Sequence, residues 1–149
     1  MVNDIVKRAL QSAGLPSVLE PVGLTRSDGK RADGVTLVPW YRGASLAWDA
    51  TVVDALAPSN VVRSASTPCS AAHAAEDKKT AKYQELTSRG YFFQPVAFEI
   101  QGRAGPSTEA FLVTLGKKIR KETHDMKAHS QLLQRLSIAI QIGNAASVM

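Results

Sequence analysis

Apolar positions recur along this chain at two periods, and the switches between them mark out the elements. Val2, Ile5, Val6, Ala9 and Leu10 fall at helical spacing and predict a helix over residues 2–12, stopped by Gly14 and Pro16. Residues 17–24 (SVLEPVGL) are apolar and β-branched and predict a strand, in which Pro21 fits only at an edge or bulge. The polar stretch from Thr25 to Gly34 carries two turn signals, Asp28-Gly29 and Asp33-Gly34. Residues 35–40 (VTLVPW) and 45–56 (SLAWDATVVDAL) read as strands, and the short connection at 41–44 makes them an antiparallel hairpin.

Residues 57–68 are rich in Ser, Pro and Ala and predict a flexible loop. A helix is expected to start at Thr67 or Ser70, both good caps, and to run to a stop at Gly90. Residues 91–100 (YFFQPVAFEI) predict a fourth strand, and 102–106 a turn. Ser107 is expected to cap a helix that carries Phe111, Leu112, Leu115 and Ile119 on one face. A last helix covers about 129–142, with Leu132, Leu133, Leu136 and Ile140 apolar.

The predicted order is α-β-β-β-α-β-α-α in one domain, 1–149. A helical crossover between the third and fourth strands favours parallel pairing there. The expectation is an α/β fold: a mixed sheet of about four strands flanked by helices.

Composition changes this picture little. The 149 residues are 44% apolar and 21% charged, which suits one globular domain. No apolar run is long enough to span a bilayer, and charged residues close to Met1 leave no signal-peptide core, so an intracellular protein without a membrane partner is expected. Cys69 is the single cysteine, which excludes an internal disulfide and disfavours a thiolate zinc site. The net charge of +5 favours polyanionic partners, or is simply a solvated basic surface.

Candidate chemistry comes from acids that break the hydrophobic pattern. Asp49 interrupts an otherwise apolar strand, where an ionised carboxylate is costly unless paired or bound to metal. Asp33 lies in the turn before the partner strand. Pairing Asp33 opposite Thr51 would make Asp33 and Asp49 diagonal neighbours on one face, and a slip of one residue would separate them. Two such carboxylates make a hard-oxygen site for Mg²⁺ or Mn²⁺. Lys79 and Lys82 share a face of the following helix, with Tyr83 next to them, and could supply positive charge. Each residue has an ordinary reading too: a turn aspartate, a strand acid paired with an arginine, solvated helix lysines. Glu20 and Glu99 are strand acids, more simply structural, with Glu20 a further candidate ligand. His73, His124 and His129 show no ligand spacing.

The segments RSDGKRADG, SLAWDATVVD and AAEDKKTAKYQEL together resemble the restriction-like endonuclease domain of early-branching non-LTR retrotransposons, a branch of the PD-(D/E)XK nuclease superfamily. Arg31-Ala32-Asp33 matches its Arg/Lys-Pro-Asp turn, Asp49 its strand acid, and Lys79, Lys82 and Tyr83 its Lys-x-x-Lys-Tyr helix. The closing QRLSIAIQIGNAASV resembles the tail of a retroelement reverse-transcriptase polyprotein. The resemblance implies a restriction-endonuclease-like fold and a metal-dependent DNA endonuclease that nicks target DNA, nuclear in location, lacking here the polymerase and zinc-finger segments of the parent polyprotein. Asp33 and Asp49 would hold the ion; Lys79, Lys82 and Tyr83 would complete the site.

Ala32 replaces the usual proline, and Thr51 stands where the wider superfamily has a strand lysine. DNA contact is expected from Arg26, Lys30, Arg31 and Arg42 in turns flanking the site, with Lys117, Lys118, Arg120 and Lys121 as a second patch. Trp40, Tyr41 and Trp48 are candidates for base stacking, or core. Two other readings stay open: a degraded, non-catalytic DNA-binding or structural remnant, and a junction resolvase or exonuclease.

Overall fold

The computed structural model describes residues 1–21, 31–54 and 70–148. Its elements are α1 (Val2–Ser12), β1 (Ser17–Leu19), β2 (Gly34–Tyr41), β3 (Ala44–Val53), α2 (Ser70–Lys82), α3 (Gln84–Ser88), β4 (Phe92–Glu99), α4 (Pro106–Thr123) and α5 (Ala128–Val148). The strands form one mixed sheet in the order β1-β2-β3-β4. β1–β2 and β2–β3 are antiparallel, while β3–β4 is parallel from Leu46↔Phe92 to Val53↔Glu99. The parallel pair follows from α2 and α3, which carry the chain back over the sheet.

Alternation along β3 sends side chains to two faces. Leu46 and Trp48 join Val96, Phe98 and the apolar stripes of α1, α4 and α5 in the larger core. Ala47 joins Val35, Tyr83 and Leu86 in a smaller core under α2 and α3, with Phe93 packed against it. The result is a mixed α/β fold, a four-stranded mixed sheet with helices on both faces.

Four local expectations need correction. The first strand is three residues long rather than eight. Glu20 takes a left-handed φ of 49° and Pro21 has no N–H to donate, so the strand ends at Leu19, with one last backbone bond from the Glu20 N–H. The helix expected to run unbroken to Gly90 divides at Tyr83, whose ring is buried against Phe93 with centroids 4.7 Å apart. Ser107 is not a cap: Gly105 holds that position and Pro106 opens α4, where its missing N–H costs nothing. The last helix runs on to Val148. Residues 22–30 and 55–69 lie outside the described residues, and with them the predicted loop 57–68, Thr67 and Cys69.

The β2–β3 hairpin turns on Arg42 (φ 47°) and Gly43 (φ 78°), the pair of positive φ values that a two-residue type I′ turn requires. Gly34, expected to be a turn residue, begins β2. A Cβ there would collide with the Trp48 ring, so glycine is what lets the indole lie across the strand.

Candidate active site

The ladder pairs Gly34 with Trp48. Continued by one residue, it sets Asp33 across from Asp49. The expected partner was Thr51; the difference of two residues keeps Asp33 and Asp49 on one face, because side-chain direction repeats every second residue. Asp33 is fixed on both sides by backbone. Its N–H donates to the Trp48 carbonyl at 2.9 Å and its carbonyl accepts the Glu20 N–H at 2.7 Å. Its Oδ2 accepts the Ala50 N–H at 2.8 Å, so the carboxylate continues the ladder as a side chain.

The second oxygen-rich group is close at hand. The Asp33 carboxyl is within hydrogen-bonding reach of Asp49, and its pKa rises to about 6. Burial is the largest cause, and the hydrogen bond and like charge of Asp49 add to it. The Ala50 N–H and the Asn3 side chain pull the other way. Asn3 lies on α1 and also accepts the Trp48 Nε1–H at 3.3 Å. It joins the site without having been anticipated, since a neutral residue in a helical first turn carries no pattern.

Asp49 is buried at 5% exposure, and the Lys79 Nζ donates to its Oδ2 at 2.6 Å from the last turn of α2. The structure thus brings together Asp33, Asp49 and Lys79, with Asn3 beside them. Lys82 is exposed on the end of α2. Tyr83 is buried and donates its hydroxyl hydrogen to the Arg31 carbonyl at 3.2 Å, two residues before Asp33. That contact anchors the turn that delivers Asp33. Glu20 is solvent-facing at 74% side-chain exposure, and its carboxylate is turned to Arg31 at 3.6 Å. Glu99 is buried and accepts the Ala72 N–H at 3.4 Å near the start of α2.

Of the expected DNA contacts, Arg31 lies two residues before Asp33 with its guanidinium turned to Glu20 at 3.6 Å, whereas Arg42 stands at the hairpin tip, at the opposite end of β2. Flanking the acids in sequence does not make it flank them in space. Arg26 and Lys30 lie outside the described residues. His124 ends α4 in the left-handed conformation at φ 59°, and exposed His73 pairs with Asp77 at 3.6 Å.

The residue least visible in the sequence is Glu76. It is 1% exposed, one turn before Lys79 on α2. Its carboxylate accepts the N–H groups of Ser107 and Thr108 at 3.1 and 2.6 Å and the Thr108 hydroxyl at 2.6 Å. It therefore caps α4 from another helix, replacing the absent local cap. Gly105 leaves it room: a Cβ there would overlap the carboxylate.

The donor set fits a divalent ion. Two carboxylates that repel one another when both are ionised are relieved by a cation, and Mg²⁺ is commonly held by one or two carboxylates with its other positions hydrated. Among the described residues no group of three or more His, Cys, Asp or Glu side chains converges, so a bound ion would rely on this pair. No helix among the described residues is long and apolar enough to cross a membrane. Compared with known proteins, the chain matches no family model, no curated protein and no solved structure.

Proposed function

We propose that the chain is a metal-dependent DNA endonuclease with a restriction-endonuclease-like arrangement of sheet and helices. The observation that carries this reading is the convergence of Asp33 and Asp49 across β2 and β3, with the Lys79 ammonium 2.6 Å from Asp49. Asp33 and Asp49 would hold Mg²⁺ or Mn²⁺, which supplies Lewis-acid polarisation of a phosphodiester and activation of water when bound. The Ala50 N–H and Asn3 keep the Asp33 carboxylate oriented in its ionised form. Lys79 neutralises Asp49 and sets a positive charge at the edge of the pair, where negative charge builds on a phosphate under attack. Arg31, two residues before Asp33, offers a contact for the DNA backbone. The likeness of the motifs to the retroelement branch makes target-DNA nicking, and hence a nuclear location, the role we favour.

A second reading has its own support. The Lys79–Asp49 pair already satisfies a buried acid, as a purely structural ion pair would, in a nucleic-acid-binding or structural remnant. A supercoiled-plasmid assay with and without Mg²⁺ or Mn²⁺ separates the two. The nuclease reading expects metal-dependent nicking that Asp49→Asn abolishes. Salt-sensitive DNA binding with no cleavage under any metal supports the remnant.

A further inference from the structure

At the far end of β2 the chain builds a second feature that the acid pair does not use. Trp40, Tyr41, Phe92 and Phe111 line a shallow groove of about 340 Å³ between the hairpin and the first half of α4, with Gln94, Ser107, Ala110 and Thr114 completing it. Consecutive strand residues ordinarily point to opposite faces. Here the β2–β3 register shifts between Pro39 and Tyr41, and that irregularity lets both Trp40 and Tyr41 line one groove. Trp40 packs on Phe111 with centroids 5.4 Å apart, and Tyr41 meets Phe92 edge-on at 6.1 Å. Tyr41 is nonetheless 51% exposed.

Two cations lie on these rings. The Arg42 guanidinium carbon is 5.1 Å from the Tyr41 centroid, and the Lys118 Nζ is 4.9 Å from that of Trp40. Among the described residues no acidic side chain lines the groove. This combination selects among ligands. Aromatic walls alone would suit a quaternary ammonium, but rings that already carry cations repel another. An apolar peptide would gain nothing from Arg42 and Lys118. A ligand with a flat π-face and an attached anion uses both, the ring surface for stacking and the cations for phosphate.

We propose that this groove is a stacking site for the bases of single-stranded nucleic acid, separate from the acid pair and independent of whether that pair cleaves. Tyr41 offers the platform, Trp40 the inner wall, and Arg42 and Lys118 contact the adjoining phosphates. The platform reads any base, so it confers strand type rather than sequence.

The test is tryptophan fluorescence and anisotropy with a labelled oligothymidylate in EDTA, where metal-dependent cleavage is silent. The chain has two tryptophans and Trp48 is fully buried, so quenching reports Trp40. Expected are quenching on binding, roughly tenfold weaker binding by Tyr41→Ala, and near-normal binding by Tyr41→Phe, which keeps the ring. Arg42→Ala should flatten the salt dependence by about one unit of log–log slope. An abasic oligonucleotide of equal length should bind the wild type as weakly as oligothymidylate binds Tyr41→Ala. The proposal is overturned if Tyr41→Ala binds like wild type, if the abasic strand binds as tightly as oligothymidylate, if a duplex of equal length is preferred, or if thymidine monophosphate binds as tightly as the strand.

Discussion

Glu76 on α2 and the Asp33–Asp49 pair, which Lys79 of the same helix reaches, are finished to different degrees. Glu76 receives three donors at the start of α4, and its charge is matched by the dipole of the helix it caps. Asp33 and Asp49 share one backbone N–H, one lysine and Asn3 between two negative groups, and burial together with the neighbouring Asp49 raises the Asp33 pKa to about 6. A buried acid is therefore not in itself a sign of chemistry. What separates a fastener from a site is whether the surrounding donors use up the charge.

The largest expected effect falls on cleavage. Asp49→Asn, and separately Asp33→Asn, should reduce plasmid nicking by about a thousandfold or more, as expected when charge stabilisation of the reacting phosphate is lost. Glu76→Gln should retain most of the activity of whatever fraction folds. Equal loss in all three variants would erase the distinction drawn above.

Stability reverses the ranking. Glu76→Ala strips several buried donors of their acceptor and should cost about 2–4 kcal/mol in urea unfolding. Asp33→Asn should instead raise the melting temperature at pH 7, because one of two like charges is gone.

The pH profile follows from the same charge. The folded-state pKa of Asp33 is about 6 against 3.8 when unperturbed, so the folded chain binds more protons than the unfolded one between these values. Its stability should fall as pH rises from about 4 to about 6 and then level off. The Asp33→Asn variant should lack that decline, and a melting series at constant ionic strength shows whether it does.

Divalent metal should act on one region only. Saturating Mg²⁺ or Mn²⁺ is expected to stabilise the wild type, by about 2.7 kcal/mol at a hundred times the dissociation constant, and to leave Asp33→Asn unmoved. Smallest is Tyr83→Phe, which removes the hydroxyl's hydrogen bond to the Arg31 carbonyl and should cost about 1 kcal/mol.

The sequence exposes the open site better than the closed one, for a physical reason. Asp49 is conspicuous because its neighbours on the strand are apolar, and a period of two made the shared face with Asp33 robust to a register two residues off. The order of elements was legible for the same reason: the apolar spacing switches cleanly from helical to alternating. Glu76 sits in a run of charged residues, Glu76-Asp77-Lys78-Lys79, that reads as a solvated helix surface. Its partners are 31 and 32 residues away, and no local pattern connects them. The division of the helix at Tyr83 carries neither glycine nor proline. Gly34 looked like a turn because its true constraint, the Trp48 ring, arrives from the neighbouring strand. Arg42 looked like part of the site because distance along a hairpin is not visible until the strands are laid out.

Lys79 reaches its acid from the crossover that the parallel β3–β4 pair demands, not from the strand that bears Asp49. The spacing of the acids is set by sheet hydrogen bonds, and the reach of the amine by how a helix seats on that sheet. The two quantities answer to different layers of the molecule. Perturbing the seat of α2 should therefore move the ammonium while leaving the register that faces the two acids in place.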